Sequence, residues 1–76
     1  MTTTTIQLKS FADVPNFVAT ITKFAFDIDL VSGRYIVDAK SIMGIYSLDL
    51  NHPIELRAHT EDAEELFAQI AQYIVK

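Results

Sequence analysis

The apolar residues of this chain switch between two spacings, and the order of those switches limits the folds open to it. Ile6-Gln7-Leu8-Lys9 alternates apolar with polar, as a short half-buried strand does. The period then lengthens. Val14, Phe17, Val18, Ile21 and Phe24 or Ala25 fall three and four apart, one stripe on a helix. Ser10 and Asp13 have the spacing of a capping box, with Asp in place of Glu, and Pro15 is tolerated in a first turn. The helix is therefore predicted to begin between Ser10 and Val14.

Strict alternation returns in Phe26-Asp27-Ile28-Asp29-Leu30, with both aspartates opposite the apolar residues. Ser32-Gly33 reads as a two-residue turn, because glycine supplies the positive φ of tight hairpins. Arg34 to Ala39 is predicted to pair back as the next strand, and a short helix to run from Ser41 to about Leu48. Pro53 ends that helix, since it disfavours a helical residue before it and has no N–H to donate. Ile54 to Ala58 alternates again. From Thr60, a predicted cap, the residues Ala63, Leu66, Phe67, Ile70, Ala71 and Ile74 mark a last helical face. The acidic cluster Glu61, Asp62, Glu64 and Glu65 suits the positive end of its dipole and could steer a basic partner.

The order β-α-β-β-α-β-α, with one polar face per strand and one apolar stripe per helix, predicts an α+β fold. Three helices cover one face of a four-stranded antiparallel sheet, and the other face stays wet. A chain of 76 residues, half of them hydrophobic, makes a single domain over residues 1–76, without repeats or linkers. The four N-terminal threonines are its one low-complexity tract. The absence of cysteine excludes disulfides, thiolate metal sites and cysteine nucleophiles. No basic segment followed by a long apolar run opens the sequence, so neither a signal peptide nor a membrane span is expected. The net charge is −4, and the bases Lys9, Lys23, Arg34, Lys40, Arg57 and Lys76 are scattered, so nucleic acid is not an expected partner.

Three stretches carry a resemblance. "AKSIMGIYSL" at 39–48 is the most specific; "KF" at 23–24 leads into a strand, glycine turn and strand, and "IELRAHTEDAEELFAQI" closes the pattern. Together they resemble the HPr family, the phosphocarrier proteins of the bacterial sugar phosphotransferase system. The resemblance implies an HPr-like open-faced β-sandwich, which agrees with the periodicity. The family carries phosphate on a histidine at the start of the first helix, inside a Gly-x-His-x-Arg-Pro stretch. Counting back from Ser41 without gaps puts Ser10 at the histidine position and Ala12 at the arginine position, in a loop that looks trimmed. A serine hydroxyl without a base is far less nucleophilic than an imidazole, and its phosphoester is too stable to pass on readily. Phosphocarrier chemistry at Ser10 is not expected.

Ser41 has two compatible readings: an N-cap contributing about 1 kcal/mol, and, by the resemblance, a regulatory phosphorylation site. Ile42, Met43 and Tyr46 are expected to form an exposed docking patch matching the one that the family offers its partners, with Ile45 and Leu48 turned inward. Tyr46 stands where the family often has Met. His52 reads as a turn residue and His59 as a polar residue at a strand-to-helix corner, a poor start for a metal site. Asp27 and Asp29 read as a solvated strand face.

By the resemblance, the expected function is that of a non-catalytic, cytoplasmic HPr-like regulatory or binding protein without cofactor or metal, close to the catabolite-repression HPr. An HPr-type kinase, a transcriptional regulator or a metabolic enzyme is its expected partner, and exposed apolar residues leave room for a homo-oligomer. The alternatives are a phosphocarrier using a different acceptor and a diverged structural module without phosphorylation.

Overall fold

Valine, isoleucine and threonine fit a pleated, half-buried surface, and they recur in all the strands of the sheet here. The computed structural model describes residues 1–75. Its elements are β1 (Thr2–Ile6), α1 (Asp13–Ile21), β2 (Ile28–Ser32), β3 (Tyr35–Asp38), α2 (Ile42–Tyr46), β4 (Ile54–Ala58) and α3 (Glu64–Gln69), then a 3₁₀ turn at Ala71–Tyr73. All strand pairs are antiparallel, in the order β1-β4-β2-β3. Along β4, Ile54, Leu56 and Ala58 are buried while Glu55 and Arg57 point to the open face. The same alternation in β2 buries Ile28 and Leu30. The helices close over this side with Val14, Phe17, Val18 and Ile21 of α1, Ile45 of α2 and Leu66 of α3, giving one continuous core. The α+β architecture and the placement of β4 are as predicted.

Several boundaries are not. The first strand is not residues 6–9 but the threonine tract, whose β-branched side chains pair from Thr2↔Ala58 to Ile6↔Ile54. Gln7 instead donates its N–H to the Tyr73 carbonyl at 2.8 Å. β2 starts at Ile28 and not at Phe26, so Asp27 lies before the strand and only Asp29 lies within it. The hairpin loop is Gly33–Arg34, flanked by the Ser32↔Tyr35 pair, so β3 begins one residue later than expected. Gly33 has φ +60° at the first central position, and no other described residue has positive φ. That combination belongs to a type II′ turn, which follows the sheet's twist.

Helix ends differ for local reasons. Ser10 and Asp13 make no capping box: Ser10 gives its carbonyl to the Asp13 N–H, while Asp13 Oδ2 accepts from the Lys9 N–H at 3.1 Å. α1 stops at Ile21, and Phe24 packs half-buried from the loop while Ala25 is exposed. The last helix starts at Glu64, where Asp62 Oδ1 accepts the Glu64 N–H; Thr60 forms a turn with Asp62 and caps nothing. It breaks after Gln69, which brings Tyr73 inward to meet the Phe17 ring edge-on at 5.4 Å. Ala71, expected on the buried face, is exposed.

Candidate docking site

Nothing charged lies between Ser41 and Leu48, and the short helix in that stretch is the core of the site. α2 is only Ile42–Tyr46, shorter than expected, with Ser41 as N-cap. Ser41 adopts an extended backbone, and its Oγ accepts the Gly44 N–H at 3.1 Å. Lys40 braces the approach to this cap. Its Nζ donates to the carbonyls of Phe24 (2.7 Å) and Phe26 (3.0 Å), tying the loop between α1 and β2 to the residue before Ser41.

Gly44 is set by packing. A Cβ there would lie 3.2 Å from Ser41 Oγ and 3.3 Å from Val37 Cβ, so α2 can approach both β3 and its own cap closely. Gly44→Leu is expected to push α2 off Val37 and open the Ser41 cap, costing about 1–3 kcal/mol. A urea titration measures it; an unchanged midpoint would mean that the close approach is dispensable.

The helix divides by spacing, as expected. Ile45 and Leu48 are buried, while Ile42 (39%), Met43 (78%) and Tyr46 (39%) are exposed. Three exposed apolar side chains on so short a helix make a contiguous patch. The structure adds a member that the sequence reading missed. Phe11, 68% exposed, meets Tyr46 edge-on with ring centroids 5.6 Å apart, and the Tyr46 hydroxyl donates to the Phe11 carbonyl at 3.2 Å. Phe11 lies three residues before Val14, a spacing that also fits an extension of the buried stripe of α1. The helix begins only at Asp13, which leaves the ring free to turn outward.

This contact brings the loop holding Ser10 and Ala12, both exposed, against the end of α2. Beside this contact opens a cleft of about 360 Å³, whose lining includes Lys9, Ser10, Phe11, Tyr46, Asp49 and Asn51. The Gln7 side chain donates to the carbonyl of Asn51, one of the lining residues, at 3.2 Å. Ser41 lies at the far end of α2 from Tyr46, roughly 7 Å along the helix axis.

The two histidines are elsewhere. His52 Nε2 lies 3.3 Å from Asp49 Oδ2 and faces the Gly33–Arg34 turn. His59 Nε2 lies 2.8 Å from Asp29 Oδ2, and its N–H donates to the Asp27 carbonyl. His59 follows Ala58, which pairs with Thr2, whereas Ser10 lies beyond Ile6 at the opposite end of the sheet. Asp29 is therefore a histidine partner and not half of a carboxylate pair with Asp27. Among the described residues, no three His, Asp or Glu side chains converge as metal ligands would.

Comparison with known proteins places this geometry. A family model described as "PTS HPr component phosphorylation site" matches residues 14–76, starting just after the Ser10–Asp13 loop. HPr-C-His from Thermoanaerobacter tengcongensis is similar in structure, with a TM-score of 0.79 and 32% identity over 95% of this chain and 89% of that one. The phosphocarrier protein HPr of Bacillus anthracis has a TM-score of 0.74 and 28% identity over 97% and 96%. The Bacillus subtilis catabolite-repression protein Crh, described as a dimer with a swapped domain, has a TM-score of 0.68 and 31% identity over 90% and 79%. No curated protein sequence matches. With the family model spanning most of the chain and the sheet and helices in the same arrangement, the chain belongs to the HPr family.

Proposed function

We propose that this HPr-family chain acts by binding partner proteins and not by carrying phosphate at the start of α1, and that phosphorylation of Ser41 switches that binding. The observation that supports this is the opening of α1, where Ser10 and Ala12 stand and neither histidine is at hand. Transfer from phosphoenolpyruvate needs a nucleophile whose phosphorylated form gives the group up again, and an unassisted serine hydroxyl is poor at both steps. What the chain keeps is an uncharged patch of Phe11, Ile42, Met43 and Tyr46, with a hydroxyl at one end.

A phosphate on Ser41 would add about −1.5 to −2 charges beside that patch. Its oxygens can take over the Gly44 N–H that Oγ now accepts, so the change is one of surface charge and not of fold. The setting is a bacterial cytoplasm, and the partner is an HPr-type kinase together with a transcriptional regulator or metabolic enzyme that reads the charge. Incubation with ATP and an HPr-type kinase, followed by intact mass, tests this. The unaltered protein is expected to gain one phosphoryl group and Ser41→Ala none, at a stability cost of about 1 kcal/mol for the lost cap. No gain in the unaltered protein would overturn the switch.

One contact favours a second reading, phosphate carriage on His52. Its partner Asp49 also lines the cleft beside Ser10. Incubation with phosphoenolpyruvate and the first enzyme of the phosphotransferase system separates the two. An acid-labile phosphate on His52 would replace the first reading.

A further inference from the structure

The two edges of the sheet are not equivalent. Along β1 the chain's own C-terminal segment lies on the outer side: the Val75 N–H donates to the Thr5 carbonyl at 2.8 Å, and Ile6 bridges Ile74. Nothing covers β3 in the same way among the described residues. The Ala39 N–H bonds the Ile28 carbonyl, so hydrogen-bonded pairs along this hairpin fall at Ala39, Val37 and Tyr35. The N–H and C=O of Ile36 and the N–H of Asp38 therefore point away from the sheet. β3 is a short edge strand of four residues with one charge, Asp38, but the other usual protections of an edge are missing. It has no Lys, no Pro and no bulge, and it exposes Tyr35 (68%) and Ile36 (62%).

The charges across the sheet show what would complete this edge. On the open face one row reads Thr3, Arg57, Asp29, Asp38. Asp29 and Asp38 are directly opposite in a non-hydrogen-bonded pair, where side chains come closest and like charges destabilise. Asp29 pairs with His59 and stands opposite Arg57, whose guanidinium pairs with Glu55; among the described residues Asp38 has only the Lys40 backbone N–H, at 2.9 Å. On the outer side of Asp38 the row ends without a cation. Arg34, in the turn of the same hairpin, makes no ion pair among the described residues.

We propose that two copies of this chain pair edge to edge through β3, antiparallel about Ile36, into one continuous sheet. In that register Ile36 meets Ile36 of the second copy beside Val31, and Tyr35 meets Val37. Each Arg34 arrives at the outer side of the other copy's Asp38, so the missing cation is supplied twice by symmetry. Shifting the register by two residues sets Ile36 against Asp38 and loses both ion pairs. A four-residue edge buries less than the roughly 1,200–2,000 Å² of a standard interface, so the dimer is weak and forms at high concentration.

The test is sedimentation equilibrium over a dilution series reaching millimolar protein, with amide exchange read at Ile36. The unaltered chain is expected to dimerise with concentration-dependent protection of the Ile36 amide. Arg34→Asp and Asp38→Arg should each raise the dissociation constant roughly tenfold, because each sets like charges together twice. Mixing these two variants should restore dimerisation, since every pair in the heterodimer is again Asp with Arg. Circular dichroism melts confirm that both variants fold. A monomer at every concentration overturns the proposal, and so does a dimer that ignores both variants or one that mixing does not rescue.

Discussion

Phe17→Ala is expected to remove about 3–5 kcal/mol of stability, the largest loss of any single truncation in this fold. Phe17 is the largest fully buried side chain, and it stands where α1, the sheet and the end of the chain converge. Its ring is the partner of Tyr73, so truncation opens a cavity and also strands the aromatic that anchors the last turn. A domain of this size has on the order of 5–10 kcal/mol in all, so the variant would be folded only marginally at room temperature. Thermal unfolding is the measurement, with a midpoint expected to fall by roughly 15–30 °C. A double cycle with Tyr73→Leu isolates the ring–ring contact, expected at about 0.5–1.5 kcal/mol. A drop of only a few degrees would mean that the core repacks around the gap, contrary to the close packing described above.

Met43→Asp is expected to do the reverse, leaving stability within about 0.5 kcal/mol and disabling docking. Met43 is 78% exposed and supports nothing in the core, so its exposure has no structural return. A charge at the middle of an otherwise uncharged patch must be desolvated on binding, and central anchors of this kind commonly carry about 2 kcal/mol or more. The KM for Ser41 phosphorylation by an HPr-type kinase should therefore rise roughly thirtyfold, with the melting midpoint unmoved. Ile45→Ala, two residues on but fully buried, is the control: it should lower stability by about 2–5 kcal/mol. An unaltered KM for Met43→Asp would remove α2 from the docking surface.

What could be read from the residues depended on how local the cause was. β4 was legible to the residue because Ile54 to Ala58 alternates without interruption behind a proline. The Ser41 cap was legible because its hydrogen bond spans three residues. The burial of Ile45 and Leu48 followed from their spacing, while the exposure of Ile42, Met43 and Tyr46 was what the family resemblance implied. The threonine tract has no apolar alternation to mark it as a strand; it becomes one through pairing with residues fifty or more positions away. Phe11 was overlooked because its spacing fits two roles, and only the start of α1 at Asp13 decides between them.

Local chemistry alone thus settled which segments are strands and helices near Ser41 and β4, since periodicity and capping act over a few residues. Tertiary structure alone decided that the Ser10 loop meets Tyr46, that His59 pairs with Asp29, and that β3 is left as the uncovered edge. Each of these joins groups far apart in the chain, and their contact free energy exists only once the sheet has been assembled.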